Sequence, residues 1–458
     1  MMKSIVLTLL PLVLTAKEFP EKFHAAPKPL SKDAKVSEWP RVFGPNDNCT
    51  SPEGPLLKKF PETGLKPVFE LARGESYASP ILADGKLLHF HAVKSAETLD
   101  CHHPETGKRL WTFSYPIKYR DRYGFSSGPR SSPVVHKGKI YLIGVTAKLH
   151  CLDLDSGKVI WQRNLKTELS IPQYFFGYGP NPMIHGDLLI LNTGGKEKEP
   201  SGSSVIGVSL KTGKTVWTHE DTWGASYASP VMAKLHGKDV ALVIAAGESK
   251  PTHGGLLLLD PKTGKLHCRF PWRADIYESV LASTPLALPN NKIFISDCYQ
   301  KGGVLLQIDE KFQPKTIWTE RYFGMHMMTP QLIDGHLYGF AGRNIPDTQF
   351  KGINLKTGKI TWEDDMRWRE NNRVTGLFRG SFLQCGKRTF ALGEDGSFAE
   401  LSLTPEKPEI LQRTRFFYAR ETWTPPVIHR GLLYIVQNTP GFDESSRRLI
   451  CYDMRAEQ

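Results

Sequence analysis

The chain has 458 residues and a formal net charge of +12. That length would ordinarily mean two or three domains, unless internal repeats lengthen the chain without adding separate cores. No segment reaches the roughly 20 apolar residues that crossing a bilayer needs. The positive charge is spread along the chain rather than gathered in one run, so no nucleic-acid partner is expected, although anionic surroundings are favoured.

In chain order, the first feature is Lys3 followed by the apolar run Ile5 to Leu14 and the small residue Ala16. This reads as a signal peptide over residues 1–16, and hence as export to the periplasm or outside the cell. No cysteine follows the run, so a lipid anchor is not expected there. Residues 17–63 read as a spacer and lead-in. The part from Lys17 to about Trp39 is rich in Pro and Lys, lacks an apolar period and is expected to be disordered. The seven cysteines, at 49, 101, 151, 268, 298, 385 and 451, are widely spaced, odd in number and without a CxxC pair. They support neither a disulfide framework nor a zinc or redox motif.

From residue 64 onward one phrase recurs. An apolar strand ends in Asp or Ser, Thr/Ser-Gly-Lys follows, and then come two residues and a Trp. Copies end in Gly107 to Trp111, Gly157 to Trp161, Gly213 to Trp217, Gly264 to Cys268 and Gly358 to Trp362; a degenerate copy runs from Pro314 to Trp318. The Gly suits a hairpin turn that needs positive φ, and a side chain as large as Trp calls for burial between packed sheets. A second phrase precedes each copy: Ser/Thr/Asn-Pro opening a short apolar strand, with its prolines at 80, 133, 182, 230, 285, 330 and 425. Proline is tolerated at the first residue of a strand. Together the phrases give four antiparallel strands per unit of about 50 residues, which is one propeller blade. Seven such starts and a degenerate one near Gly380-Ser381 make eight. The last unit, 425–454, lacks its fourth strand. Thr63-Gly64 to Glu70 has the character of the missing piece, with Phe69 near the Trp slot. The expected fold is therefore an all-β, eight-bladed propeller over 64–458 whose last blade is closed by an N-terminal strand, leaving no open sheet edge.

Asp-x-x-Thr-Gly-Lys-x-x-Trp with Ser-Pro strand starts resembles the PQQ-like repeat, shared by quinoprotein dehydrogenases and the BamB-type outer-membrane assembly proteins. The Trp39-Pro40-Arg41-Val42-Phe43-Gly44-Pro45-Asn46 lead-in is also similar to segments preceding such propellers in exported bacterial proteins. The resemblance covers about residues 64–454 and specifies fold more than function, because its Gly and Trp are structural. The quinoprotein branch implies a vicinal Cys-Cys pair against the quinone and a calcium site with a catalytic Asp. The chain has no Cys-Cys pair, so neither PQQ nor calcium is expected. BamB-type proteins are lipoproteins, and the chain lacks the cysteine for that.

Candidate functional residues lie in the connections before each Ser/Thr-Pro, which cross one face of a propeller near its channel. Those slots hold Tyr77, Arg130, Tyr178, Tyr227, Glu278, His326, Arg379 and Glu421, and longer insertions add Arg120, Arg122, Trp223, Tyr277 and Arg373. Arginine gives bidentate contacts to carboxylate or sulfate, and aromatic faces stack on sugar rings. Tyr77, Arg130, Tyr227, Glu278, His326 and Arg379 are therefore expected to bind an anionic or carbohydrate-like ligand. His326 with Tyr178 or Tyr227 could supply the acid and base of a lyase or a glycoside-cleaving enzyme. His89, His91, His102 and His103 cluster in one blade, but no third ligand for a metal is apparent and none is assigned. Cys101, Cys151 and Cys451 share one repeat slot and are expected in the core. The readings left are a monomeric envelope scaffold binding a ligand or an envelope protein, a carbohydrate-active enzyme, and a quinoprotein oxidoreductase.

Overall fold

The structure, a computed structural model, describes residues 21–194, 205–246, 253–345, 347–370 and 372–456; the proposed signal peptide lies outside them. Eight antiparallel sheets, each of four principal strands, follow one another around a ring. Blade 1 holds the strands Ile81–Ala83, Lys86–Val93, Ala96–His102 and Arg109–Pro116. Blade 7 starts at Ser381–Cys385, the degenerate start. Blade 8 takes three strands from 427–453, and Pro67–Ala72 supplies its fourth by pairing with Arg448–Asp453. The expected closure is the one observed.

The repeat phrase has a physical explanation that joins each blade to the next. The turn glycines 107, 157, 213, 264 and 358 all have φ near +70°. A side chain there would also collide with an aromatic ring of the preceding blade. A Cβ would fall 2.5 Å from Trp111 at Gly157, 2.7 Å from Trp161 at Gly213, 2.4 Å from Trp217 at Gly264 and 2.7 Å from Phe69 at Gly107. The ring lies flat on the next blade's turn, and its indole N–H often reaches a carbonyl there: Trp111 donates to Leu154 at 3.1 Å and Trp318 to Leu355 at 2.8 Å. This explains the degenerate copy. Blade 4 has Cys268 in the Trp slot, so no indole presses on the turn of blade 5. That turn dispenses with Gly and places Phe312 at φ 61° instead, stacked on His267.

The Ser/Thr/Asn before each proline also has a structural task. The Ser79 N–H donates to Ser132 Oγ, Ser132 N–H to Asn181 Oδ1, Asn181 N–H to Ser229 Oγ and Ser229 N–H to Thr284 Oγ1. The innermost strands of blades 1 to 5 are thus laced to one another along the channel. A belt of this kind satisfies buried backbone donors that no ladder can reach.

The stretch expected to be disordered is ordered from Glu21 on. Glu21–Phe23 adds a fifth strand to blade 8 by pairing with Phe69–Leu71. Trp39 is fully buried and exchanges backbone hydrogen bonds with Leu82. Thr50–Ser51 pairs in parallel with Gln384–Cys385, and the buried Glu53 carboxylate accepts from the N–H groups of Ser37, Arg430 and Gly431. A segment held by isolated anchors and backbone bonds leaves no apolar period to read, which is why the pattern suggested disorder. The lead-in also touches Val135 of blade 2 and Gln331 of blade 6, so it lies across the channel end where the first hairpin of each blade turns. The connections between blades are at the other end.

Candidate functional site

At that other end the connections bring arginines and aromatics together. Arg379, before blade 7, stands 4.8 Å from the Trp423 ring. Trp423, before blade 8, stacks on Tyr77 at 5.3 Å. Arg130 lies 5.6 Å from the Tyr77 ring and 5.8 Å from Phe176, and Phe176 meets Tyr227 at 5.6 Å. Phe125 touches both Trp423 and Phe176. On the far side Phe175 meets Tyr277 at 5.2 Å and shares an apolar cluster with Ala274, Val280 and Tyr299. His326 sits edge-on to Tyr299 at 5.9 Å, and the Arg379 guanidinium reaches the Asn344 amide oxygen at 3.2 Å. The contacts form a closed circuit around the channel mouth.

The arginines of the circuit are already neutralised. Arg130 donates to Asp121 Oδ2 at 2.8 Å, and Asp121 also accepts from the N–H groups of Tyr123 and Phe125. Arg379 pairs with Glu394 at 2.8 Å, and the Trp423 indole donates to the same carboxylate oxygen at 3.0 Å. Tyr77 donates to Glu421 at 3.3 Å. Burial raises the Tyr77 phenol, with the Glu421 charge beside it adding to the effect; burial likewise raises the Glu421 carboxyl. His326 is pushed down to about 3, first by burial and then by the charges of Arg379 and Arg343; its Nδ1 is shut off from solvent and has no partner.

Of the sequence candidates, Tyr77, Arg130, Tyr227, His326 and Arg379 belong to this circuit. Glu278 stands exposed on the neighbouring connection; the Tyr299 phenol is raised mainly by burial, with the Glu278 charge a minor addition. Tyr178 is elsewhere: it is buried in the core between blades 2 and 3. The Tyr227 hydroxyl accepts the Phe176 N–H at 2.8 Å. The proposed acid–base partners His326, Tyr178 and Tyr227 therefore have separate surroundings. Arg122 donates to the Tyr174 carbonyl, Trp223 stacks under Arg269 at 3.9 Å, and Arg373 lies over Tyr418. In blade 1 His89 stacks on His91 at 4.5 Å, and His91 Nε2 lies 3.0 Å from Asp100. Among the described residues no group of three or more His, Cys, Asp or Glu side chains could hold a metal ion. The seven cysteines are free, with Cys101, Cys151 and Cys451 buried in the core.

Sequence reasoning missed Trp423, Phe125, Phe176, Tyr299, Arg343 and Glu394. Trp423 falls two residues after Glu421, the position read in that connection. Tyr299, Arg343 and Glu394 sit in hairpins between the second and third strands of their blades. In a four-stranded meander those hairpins turn at the same end as the connections between blades, and this was the available signal.

Tyr299 and Arg343 also line a cleft of about 740 Å³ between blades 5 and 6, with Arg321, Tyr322, Gln300, Asn344 and others. Arg343 stands 4.6 Å from the Tyr299 ring, and Arg321 donates to the Gln300 side chain at 3.1 Å. The Lys351 ammonium, also on the wall, is paired with Glu363 at 3.1 Å.

Fold and site together define a propeller with a closed ring of blades and a polar-aromatic mouth at one channel end. The family described as outer membrane protein assembly factor BamB matches residues 95–364. The chain belongs to this PQQ-like propeller family. It is 27% identical over 171 residues to the 1-butanol dehydrogenase (cytochrome c) of Thauera butanivorans; the match spans 36% of this chain and 23% of that relative. The fold is similar to BamB from Moraxella catarrhalis, with a TM-score of 0.57 and 14% identity over 85% of this chain and 99% of the other. It is also similar to the quinohemoprotein alcohol dehydrogenase of Comamonas testosteroni, with a TM-score of 0.59 and 13% identity over 92% and 81%.

Because relatives of this fold include a quinohemoprotein, the mouth can be tested against a quinone. The Trp423 indole is packed by Tyr77, Arg379 and Phe125. The chain has no adjacent cysteines. The vicinal cysteine pair that the quinoprotein branch implies is therefore missing.

Proposed function

We propose that the protein is an exported, monomeric propeller of the cell envelope that acts by binding, recognising an anionic or carbohydrate-like ligand on its channel face. The observation that carries this is the concentration of arginine and aromatic side chains at one channel end, in the mouth and in the cleft beside it, while the lead-in lies across the other. Arginine recognises carboxylate and sulfate, and aromatic faces stack on sugar rings. An envelope setting agrees with the signal-like N-terminus, with the family's description and with the absence, among the described residues, of a helix able to cross a membrane.

The test is calorimetric titration of the purified protein with carboxylated, sulfated and neutral oligosaccharides of equal length. The expected result is a preference of at least tenfold for the acidic members that weakens as salt rises. A flat response across all three classes would sink the proposal.

A further inference from the structure

Arg321 and Arg343 differ from the arginines of the channel mouth in one respect. Both line the cleft between blades 5 and 6, both are exposed, and neither forms an ion pair among the described residues. Their neighbours are neutral: the Gln300 amide for Arg321 and the Tyr299 ring for Arg343. The cleft of about 740 Å³ falls in the size range of small-ligand sites. Of the lining residues only Asp347 carries an acid, and Lys351 is answered by Glu363. The wall therefore keeps a net positive charge. It also presents an exposed aromatic ring, because Tyr322 is 67% exposed, with the Lys351 ammonium 5.8 Å from one of its faces. The amides of Gln300, Asn344 and Gln349 supply donors and acceptors around it.

These features match one ligand chemistry. An unpaired guanidinium favours a carboxylate or sulfate, an exposed tyrosine face favours the apolar side of a pyranose, and amides serve hydroxyls. We infer that this lateral cleft is the site of an acidic saccharide, with the acid group held by Arg321 and Arg343 and a sugar ring resting on Tyr322. This rests on the proposed ligand reading and makes it specific: the ligand is taken up beside the channel mouth, between two blades, and the circuit around the mouth forms its rigid border. Gly342 and Gly324 also line the cleft, and a Cβ at either would meet a backbone carbonyl at 2.3 or 2.4 Å, so glycine lets neighbouring backbone segments of the walls approach closely there.

The deciding experiment titrates the full chain with a tetrasaccharide of alternating glucuronate and N-acetylglucosamine, with a neutral glucose tetrasaccharide and with inorganic sulfate. The wild type should bind the acidic tetrasaccharide at least tenfold more tightly than either of the others. Arg321→Ala combined with Arg343→Ala should cost at least tenfold, with an unchanged melting temperature. Tyr322→Ala should weaken the saccharide several-fold without altering any response to sulfate. If the double variant binds like the wild type while Arg130→Ala loses binding, the cleft is the wrong place and the broader reading stands. If sulfate binds as tightly as the tetrasaccharide and Tyr322→Ala changes nothing, the site takes any anion and the saccharide assignment is overturned. If the wild type binds no acidic oligosaccharide, both readings fail.

Discussion

The channel mouth and the lateral cleft are built from the same residue types and differ in how their charges are answered. At the mouth Arg130 is matched by Asp121 and Arg379 by Glu394, and in each pair the carboxylate side chain is the more deeply buried partner. In the cleft Arg321 and Arg343 face amides, a ring and solvent. A buried pair is satisfied by the fold and has little left for a ligand, whereas an exposed arginine without a partner keeps its full capacity to bind. Residue type alone would therefore point to the mouth; the pairing pattern moves the ligand a blade's width to the side.

The largest effect should come from breaking a pair at the mouth. Asp121→Asn keeps the shape but removes the charge facing Arg130 and disturbs the bonds to the Tyr123 and Phe125 N–H groups. Leaving a mostly buried guanidinium unpaired is expected to cost about 3 kcal/mol. Urea denaturation reads this directly. A loss below about 1 kcal/mol would mean that the mouth is not the rigid, self-satisfied structure described, and the contrast with the cleft would weaken.

A second effect concerns His326, which stands between the two regions and feels an arginine from each. Its folded-state pKa of about 3 lies below the ordinary value of 6.5. The unfolded chain therefore takes up the proton first. The stability tied to neutral His326 is complete above pH 6.5 and is lost as the pH falls from there toward 3. Allowing for the solvent contact of a half-buried side chain, the loss should be roughly 2 kcal/mol. Comparing the pH dependence of unfolding for the wild type and His326→Gln isolates it. Equal slopes on the acid side would show that the imidazole is better solvated than its surroundings imply. His150, pushed down to about 4 by burial with the nearby Lys148 charge adding to it, contributes with the same sign in both proteins and drops out of the comparison.

How much of this was readable from the sequence follows from the physics of each part. Blade count and closure were legible because the turn glycine and the Trp answer one local demand, a ring lying on the next blade's hairpin, and that demand recurs at fixed spacing. Even the failure at Pro314 carried information, since Cys268 one blade earlier removes the ring that would need a glycine. The lead-in was not legible: Trp39 and Glu53 anchor it singly, and single anchors have no period. The mouth was half legible. The slots before each proline found Tyr77, Arg130, Tyr227, His326 and Arg379, because those connections cross the channel. They also delivered Tyr178, whose ring turns into the core between blades. The pairing of Arg130 with Asp121, nine residues earlier, and of Arg379 with Glu394, across a blade, depends on side-chain direction, which slot arithmetic does not supply. The cleft was missed because Tyr299 and Arg343 belong to hairpins inside blades 5 and 6, while Arg321 and Tyr322, though on the connection between those blades, come at its start, ahead of the slot just before Thr329-Pro330.

The smallest effect is the most telling for the contrast. Arg321→Ala and Arg343→Ala should change stability by no more than about 0.5 kcal/mol each, as expected for exposed positions with neutral neighbours. For Arg343 two terms oppose one another. The guanidinium gains from lying 4.6 Å from the Tyr299 ring, worth about 0.5–1 kcal/mol at an exposed site. It also adds a like charge beside Arg379 and depresses His326, which its removal relieves. The same substitution should move the His326 titration upward, readable by proton NMR, whereas Arg321→Ala should leave it in place. If either variant costs more than about 1.5 kcal/mol, that arginine is part of the scaffold in the way Arg130 and Arg379 are, and the cleft loses its claim to be built for something the chain itself does not provide.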